Sequence, residues 1–182
     1  MTSAGVEAGA FVNPDNPGED PTIQAFFVPI VYLDRDALDE VKDDFGMTVT
    51  TVVVKPKSRG EVRLRSSDPF KMPSVSPNLL QHEDDMVEMI RGQRFFRRAF
   101  ETSPLSDYIR QIVIPTQDDE ETLRAHCKRF VKTNYHPAGT CKMGADGDPM
   151  AVLDTRMRVR GIDGLRVCDM SAVPDIYAGN TI

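Results

Sequence analysis

Apolar residues fall along this chain in several distinct rhythms, and each rhythm predicts a different element. IQAFFVPIVYL (residues 23–33) is a dense, β-leaning apolar run that follows the turn-rich NPDNPGEDP, and it predicts a strand broken near Pro29. The acidic DRDALDEVKDDFG that follows predicts a short polar helix or loop, ended by Gly46. MTVTTVVVKP (47–56) is β-branched, and after KSRG the segment EVRLRS (61–66) alternates Val62 and Leu64 with charged neighbours. These two runs predict an antiparallel hairpin. SSDPFKMPSVSPNLL (66–80) carries three prolines and predicts extended loop. Residues 83–100 then place Met86, Val87, Ile90, Phe95, Phe96, Ala99 and Phe100 at helical spacing with charges between them. A second helix is expected over 118–132. Acids at its start (Asp118 to Glu121) and bases at its end (Lys128, Arg129, Lys132) suit the helix dipole. Leu123, Cys127 and Phe130 mark its apolar face, so His126 and Cys127 read as packing residues. The final stretch predicts short strands with glycine turns and no helix. The expected fold is α+β, an antiparallel sheet packed with helices.

Length and composition narrow the class. A chain of 182 residues buries roughly 70% of its unfolded surface, enough for a real core. Within it, residues 1–133 hold the helices and main strands, and residues 134–182 differ in character. At 40% hydrophobic and 27% charged residues the values are ordinary for a globular protein, and no apolar run approaches the ~20 residues of a membrane span. The start, MTSAGVEAGAF, lacks the basic and apolar regions of a secretory signal, so a soluble, cytoplasmic protein is expected. A net charge of -6 argues against a nucleic-acid surface. The nearest basic cluster, Lys55, Lys57, Arg59, Arg63 and Arg65, also suits the wet face of a strand. The cysteines, Cys127, Cys141 and Cys168, are odd in number and lack CxxC spacing, which speaks against a disulfide framework or a structural zinc.

The candidate chemistry lies in NYHPAGTCKMG, Asn134 to Gly144. A metal needs three or four ligands, and only His136 and Cys141 stand here. A nucleophilic Cys141 needs an oriented base, and no third group orients His136. Two readings remain open on chemistry alone. His136 is either a hydrogen-bonded residue of a proline-stiffened loop, or a general base, since a free imidazole titrates near neutral pH and can accept a hydroxyl proton.

YHPAGTCKMG, then DPMAVLDTRMRVRGIDGLRVCDMSAVP and AGNT, resemble the C-terminal signature of the glucose-methanol-choline (GMC) flavin oxidoreductases, in particular their choline-dehydrogenase-like branch. The upstream VEAGAFV, PKSRGEVRLRSSDPF and SPNLL are similar to the same family, so the resemblance spans nearly the whole chain. It implies the family's substrate-binding domain over 1–133, and over 134–182 an active-site segment returning toward an FAD-binding domain. It implies FAD as cofactor, a small-molecule alcohol as substrate, and the FAD-binding domain as partner. His136 corresponds to the base toward the substrate hydroxyl and Asn180 to its hydrogen-bonding partner. Asp169 and Met170 correspond to residues beside FAD, and Asn134 and Tyr135, which open the same motif, go with them on the cofactor side. Departures from the family are also visible. No GxGxxG phosphate-binding turn occurs, and no APTIMIAEKAA-like closing helix follows. The expectation is therefore the back third of a GMC enzyme, a cloned domain or proteolytic remnant, inactive alone. The alternatives are a split enzyme that recruits its FAD domain in trans, a non-catalytic interaction module, and an FAD-containing lyase. With no Trp and four Tyr, an aromatic cage for choline is not evident.

Overall fold

The computed structural model describes residues 5–33 and 45–180. The polar helix or loop expected after Leu33 therefore lies, up to residue 44, outside the described residues. The chain forms two compact units. One is built from residues up to Lys57 together with Leu80–Lys132, the other from Ser58–Leu79 together with residues from Thr133 onward. Compactness thus groups the chain differently from a linear division at 133/134, because residues 58–79 go with the C-terminal segment. The architecture is α+β, small antiparallel sheets with helices. No helix among the described residues is long and apolar enough to cross a membrane.

In the first unit, β1 (Ala8–Val12), β2 (Ile23–Val28) and β3 (Thr48–Val53) form an antiparallel sheet with β2 in the centre. Strand β2 stops before Pro29, as its sequence predicts. Residues directly opposite one another share a face. The register therefore sets Val12, Ile23 and Val53 in one row and Ala10, Ala25 and Thr51 in the next. Helix α1 (Glu83–Phe100) covers this face, with Phe96 packed among Ile23, Ala25 and Phe27. The Phe27 and Phe96 rings meet edge to face at 5.6 Å, a favoured aromatic geometry. Gly92 makes the close approach possible, because a Cβ there would lie 3.1 to 3.2 Å from three Ile23 side-chain carbons.

A second stripe of α1, Met86 and Ile90, one helical turn apart, faces helix α2 (Glu120–Phe130) and closes on Leu123 and Cys127. Asp119 caps α2 by accepting from the Thr122 N–H at 2.9 Å, and the helix runs two residues short of the expected 118–132 at each end. Burial pushes the Cys127 thiol up to about 11, and Gln93 Nε2 donates to its sulfur at 3.2 Å. The His126 ring lies 4.8 Å from that of Phe130, and burial pulls its pKa down. Both side chains pack the helix, as its periodicity implies.

The expected hairpin between residues 47–56 and 61–66 does not form. β3 pairs with β2 instead, over six residues along its edge. Glu61–Arg63 (β4) pairs with Ser74–Ser76 (β5) in the other unit. Two features explain the difference. Strand β2 offers β3 a longer, more apolar partner than EVRLRS can. Gly60 is not a turn residue of a β3 hairpin but a point of close backbone approach, since a Cβ there would lie 2.5 Å from the Ser76 carbonyl oxygen and 2.8 Å from the Pro77 Cα. The β4–β5 pair sets Val62 opposite Val75 and leaves both half in water. Leu64 is 88% exposed and Phe70 94%.

Further along the second unit, Leu153 is fully buried and bridges both Met143 and Val159. The turn after it is organised by one carboxylate. Asp154 Oδ1 accepts the backbone N–H groups of Arg156 (2.8 Å) and Arg158 (3.0 Å), and Oδ2 accepts Arg158 Nε at 2.7 Å. These bonds support Met157 in the left-handed region at φ 61°, a conformation a side chain disfavours. They also pull the Asp154 pKa down to about 2, the Arg158 backbone bond contributing most.

Replacing Gly60 by Ala is expected to separate β4 from β5. Amide exchange at Glu61–Arg63 and Ser74–Ser76 should rise to that of open chain while α1 keeps its protection, and unchanged protection of the pair would contradict the close-approach role. A second expectation concerns acid. The folded pKa of Asp154 lies below its ordinary 3.8, so the turn's stabilisation is complete above that value and fades as pH falls through about 2. Titration of the Asp154 carboxyl carbon by NMR should show a midpoint near 2, and a midpoint at the ordinary carboxylate value would refute the assignment.

Candidate active site

Two backbone constraints aim His136. Tyr135 sits in the left-handed region at φ 64°, its N–H donating to Thr133 Oγ1 at 3.0 Å. A non-glycine residue there costs about 1 kcal/mol, so the surrounding bonds must hold it. Pro137 follows His136 and sterically restricts it to extended backbone. The imidazole thus hangs from a short segment with little freedom at either end, and it is half-buried.

From Gly139 the chain runs between two neighbours. On one side it meets the 3₁₀ turn Met170–Ala172. The Gly139 N–H donates to the Met170 carbonyl (3.1 Å), the Cys141 N–H to that of Ser171 (2.9 Å), and the Met143 N–H to that of Ala172 (2.9 Å). Gly139 has φ 82°, which glycine alone adopts freely, and a Cβ there would lie 3.4 Å from the Val173 carbonyl oxygen. On the other side, the Lys142 carbonyl accepts the N–H groups of Val152 (3.0 Å) and Leu153 (3.2 Å), and the Gly144 N–H donates to the Leu153 carbonyl at 3.1 Å. Gly144 has no room for a side chain, since a Cβ would lie 2.8 Å from Ala151 Cβ and 2.9 Å from Asp148 Oδ2. Lys142 Nζ pairs with that same Oδ2 at 2.7 Å and holds the Asp148 carboxyl below its usual range. Arg160 donates to the Gly144 carbonyl at 2.8 Å and to Asp146 at 2.9 Å. The motif is therefore the middle strand of a backbone ladder whose apolar anchors are Leu153 and Ala172, both essentially buried.

The turn that receives this ladder is itself capped. Asp169 Oδ1 accepts the Ser171 N–H at 2.8 Å, and hydrogen bonding from Ser171 holds the Asp169 carboxyl below the usual carboxylate range. The Asp169 carbonyl accepts the Ala172 N–H at 3.0 Å.

The ladder thus joins Gly139–Met143, the stretch just after Asn134, Tyr135 and His136, to the Met170–Ala172 turn that Asp169 caps. Asn134 and Met170 are half-buried, whereas Tyr135 and Asp169 are exposed. Asn180 is exposed near the end of the described chain and stands outside the ladder. An open depression of about 510 Å³ lies elsewhere in this unit, lined by Asp146, Asp154 and residues 158–166. Two ion pairs cross its lining, Arg158 with Asp154 and Arg160 with Asp146, and none of the candidate residues lines it. Sequence reasoning passed over Ser171, Leu153 and Arg160, which act through backbone bonds or burial. The two motif glycines were the available signal for such crowding.

Residues 56–182 match the GMC oxidoreductase family. Over 185 residues the chain is 35% identical to an alcohol dehydrogenase (acceptor) of Pseudomonas putida, covering 100% of this chain and 32% of that protein. It is 38% identical over 177 residues to an oxygen-dependent choline dehydrogenase of Rhizobium johnstonii, covering 96% of this chain and 32% of that protein. Among solved structures it is similar to pyridoxine 4-oxidase from Mesorbium loti, with a TM-score of 0.85 at 24% identity, over 97% of this chain and 35% of that one. It is also similar to formate oxidase from Aspergillus oryzae RIB40, a protein studied for modification of its FAD, with a TM-score of 0.74 at 26% identity, over 93% of this chain and 30% of that one. The chain spans about a third of the length of the curated relatives it matches. The family match, and full-length coverage at 35% identity, establish that this α+β chain belongs to the GMC oxidoreductases and carries the fold of their C-terminal, substrate-binding domain.

Proposed function

We propose that this chain supplies the base and the oxygen-positioning group of an FAD-dependent oxidoreductase acting on the CH–OH group of a primary alcohol, choline or another. The observation that carries the reading is the backbone ladder between Gly139–Met143 and Met170–Ala172, whose first rung follows His136 by three residues. The names of relatives support the substrate class, an alcohol dehydrogenase and choline dehydrogenases among them.

In this reading His136 accepts the hydroxyl proton of the alcohol, and Asn180 donates a hydrogen bond to the same oxygen as negative charge grows on it. A well-placed donor of this kind contributes about 10²- to 10³-fold to turnover in other enzymes. FAD, when bound, supplies the acceptor for the hydrogen and two electrons that leave the alcohol carbon, so that an aldehyde is formed. Asn134, Tyr135 and Met170 suit the ring end of such a cofactor. Tyr135 is exposed, Met170 offers a half-buried apolar side chain, and Asn134 supplies an amide, with no cluster of Lys or Arg among them to suit a diphosphate. Residues 134–182 act as the active-site segment and residues 1–133 as the substrate-binding part. An FAD-binding portion of the same protein is the partner in this reading. The exposed Leu64, Phe70, Met72 and Val75 favour such a covering surface.

The full-length protein with His136→Ala is expected to reduce its flavin about 10² to 10⁴ times more slowly with its best alcohol, the ordinary range for loss of a general base, as followed by stopped-flow absorbance. Unchanged reduction with every accepted alcohol would sink the base assignment, and a parent protein that oxidises no alcohol would sink the function.

A further inference from the structure

The resemblance puts Asp169 on the cofactor side of the site, but its bonds in the structure are directed inward. Asp169 Oδ1 accepts the Ser171 N–H at 2.8 Å, and its carbonyl accepts that of Ala172 at 3.0 Å. Those bonds shape the turn whose three consecutive carbonyls, Met170, Ser171 and Ala172, take the N–H groups of Gly139, Cys141 and Met143. Asp169 is the side-chain cap of this three-residue turn, which backbone bonds from the Ala172 and Val173 N–H groups to the Asp169 and Met170 carbonyls (3.0 and 3.3 Å) also close, so the cap bears on the direction of its carbonyls. His136 lies three residues before the first rung. It is tied there through Pro137 and held from the other side by the left-handed Tyr135. A change in the pitch of the Met170–Ala172 turn therefore moves the rungs, and the rungs move the imidazole.

We infer that Asp169 is a positioning residue for His136. It sets the turn on which the histidine loop is hung, and it acts as a hydrogen-bond acceptor rather than as a negative charge. The inference rests on the proposed function for its catalytic consequence and on this chain's geometry alone for its structural one.

The acceptor and charge roles separate cleanly by substitution, because Asn caps such turns about as well as Asp whereas Ala does not. The test compares Asp169→Ala and Asp169→Asn in the full-length protein by two readouts: amide hydrogen exchange over 139–143, and steady-state alcohol oxidation. Asp169→Ala is expected to speed exchange at Gly139, Cys141 and Met143 by about fivefold, the ordinary effect of losing a cap. It should lower kcat more than it raises KM, since proton acceptance and not substrate capture depends on the imidazole's aim. Asp169→Asn is expected to restore both. Exchange over 139–143 unchanged in the Ala variant would overturn the inference, as would an Asn variant that exchanges as fast as the Ala variant. Should Asp169→Ala not fold, the Asn variant still decides, parental exchange supporting the inference and raised exchange refuting it. Should the parent protein oxidise no alcohol, the proposed function fails while the exchange comparison continues to judge Asp169.

Discussion

Three backbone hydrogen bonds, from the N–H groups of Gly139, Cys141 and Met143 to the carbonyls of Met170, Ser171 and Ala172, are the constraint on which the site depends. They join two segments far apart in sequence, one without helix or strand and the other a single 3₁₀ turn. A loop proposed to carry a proton-accepting side chain needs its backbone groups satisfied, and it needs a fixed direction of exit. The ladder supplies the first through its neighbours on both sides. Tyr135 and Pro137 supply the second by restricting the residues around His136. The glycines follow from the same constraint. Gly139 adopts a conformation that a side chain resists, and Gly144 lies where Ala151 and Asp148 leave no space.

The other unit is organised by a helix with two apolar stripes. One stripe of α1 packs on the β1–β2–β3 sheet through Phe96 and Gly92, and the other packs on α2 through Met86 and Ile90. This bifacial helix makes one small sheet and one short helix into a single core. Charged groups serve the ends and the surface of that core. Asp85 is buried, but its Oδ1 accepts the Lys57 N–H at 2.7 Å, and Arg124 joins α2 to Glu83 at the start of α1.

How much of this was legible depended on whether a side-chain pattern carried the information. Helix α1 was readable to the residue because its apolar positions recur at helical spacing, and α2 was readable because acids and bases mark its ends. The hairpin was misread because residues 47–56 and 61–66 satisfy a local pairing rule, whereas the better partner for β3 lay upstream in β2. Gly60 serves close approach to Ser76 and Pro77 rather than a turn between residues 47–56 and 61–66. The site divided along the same line. His136 stood out through its motif, and Asp169 with it. Their connection did not, because a rung from a backbone N–H to a backbone carbonyl leaves no mark on residue identity. Ser171 and Leu153 were invisible for that reason, and Arg160 looked like any surface cation, though it donates to the Gly144 carbonyl.

The histidine motif is hydrogen-bonded to the Asp169 turn. Scalar coupling across a hydrogen bond reports such contact directly. In ¹⁵N,¹³C-labelled protein, a long-range HNCO spectrum is expected to correlate the Cys141 amide nitrogen with the Ser171 carbonyl carbon, the rung at 2.9 Å. A spectrum in which the Cys141 amide is resolved but shows no coupling to Ser171, and couples to another carbonyl instead, would rule out this rung.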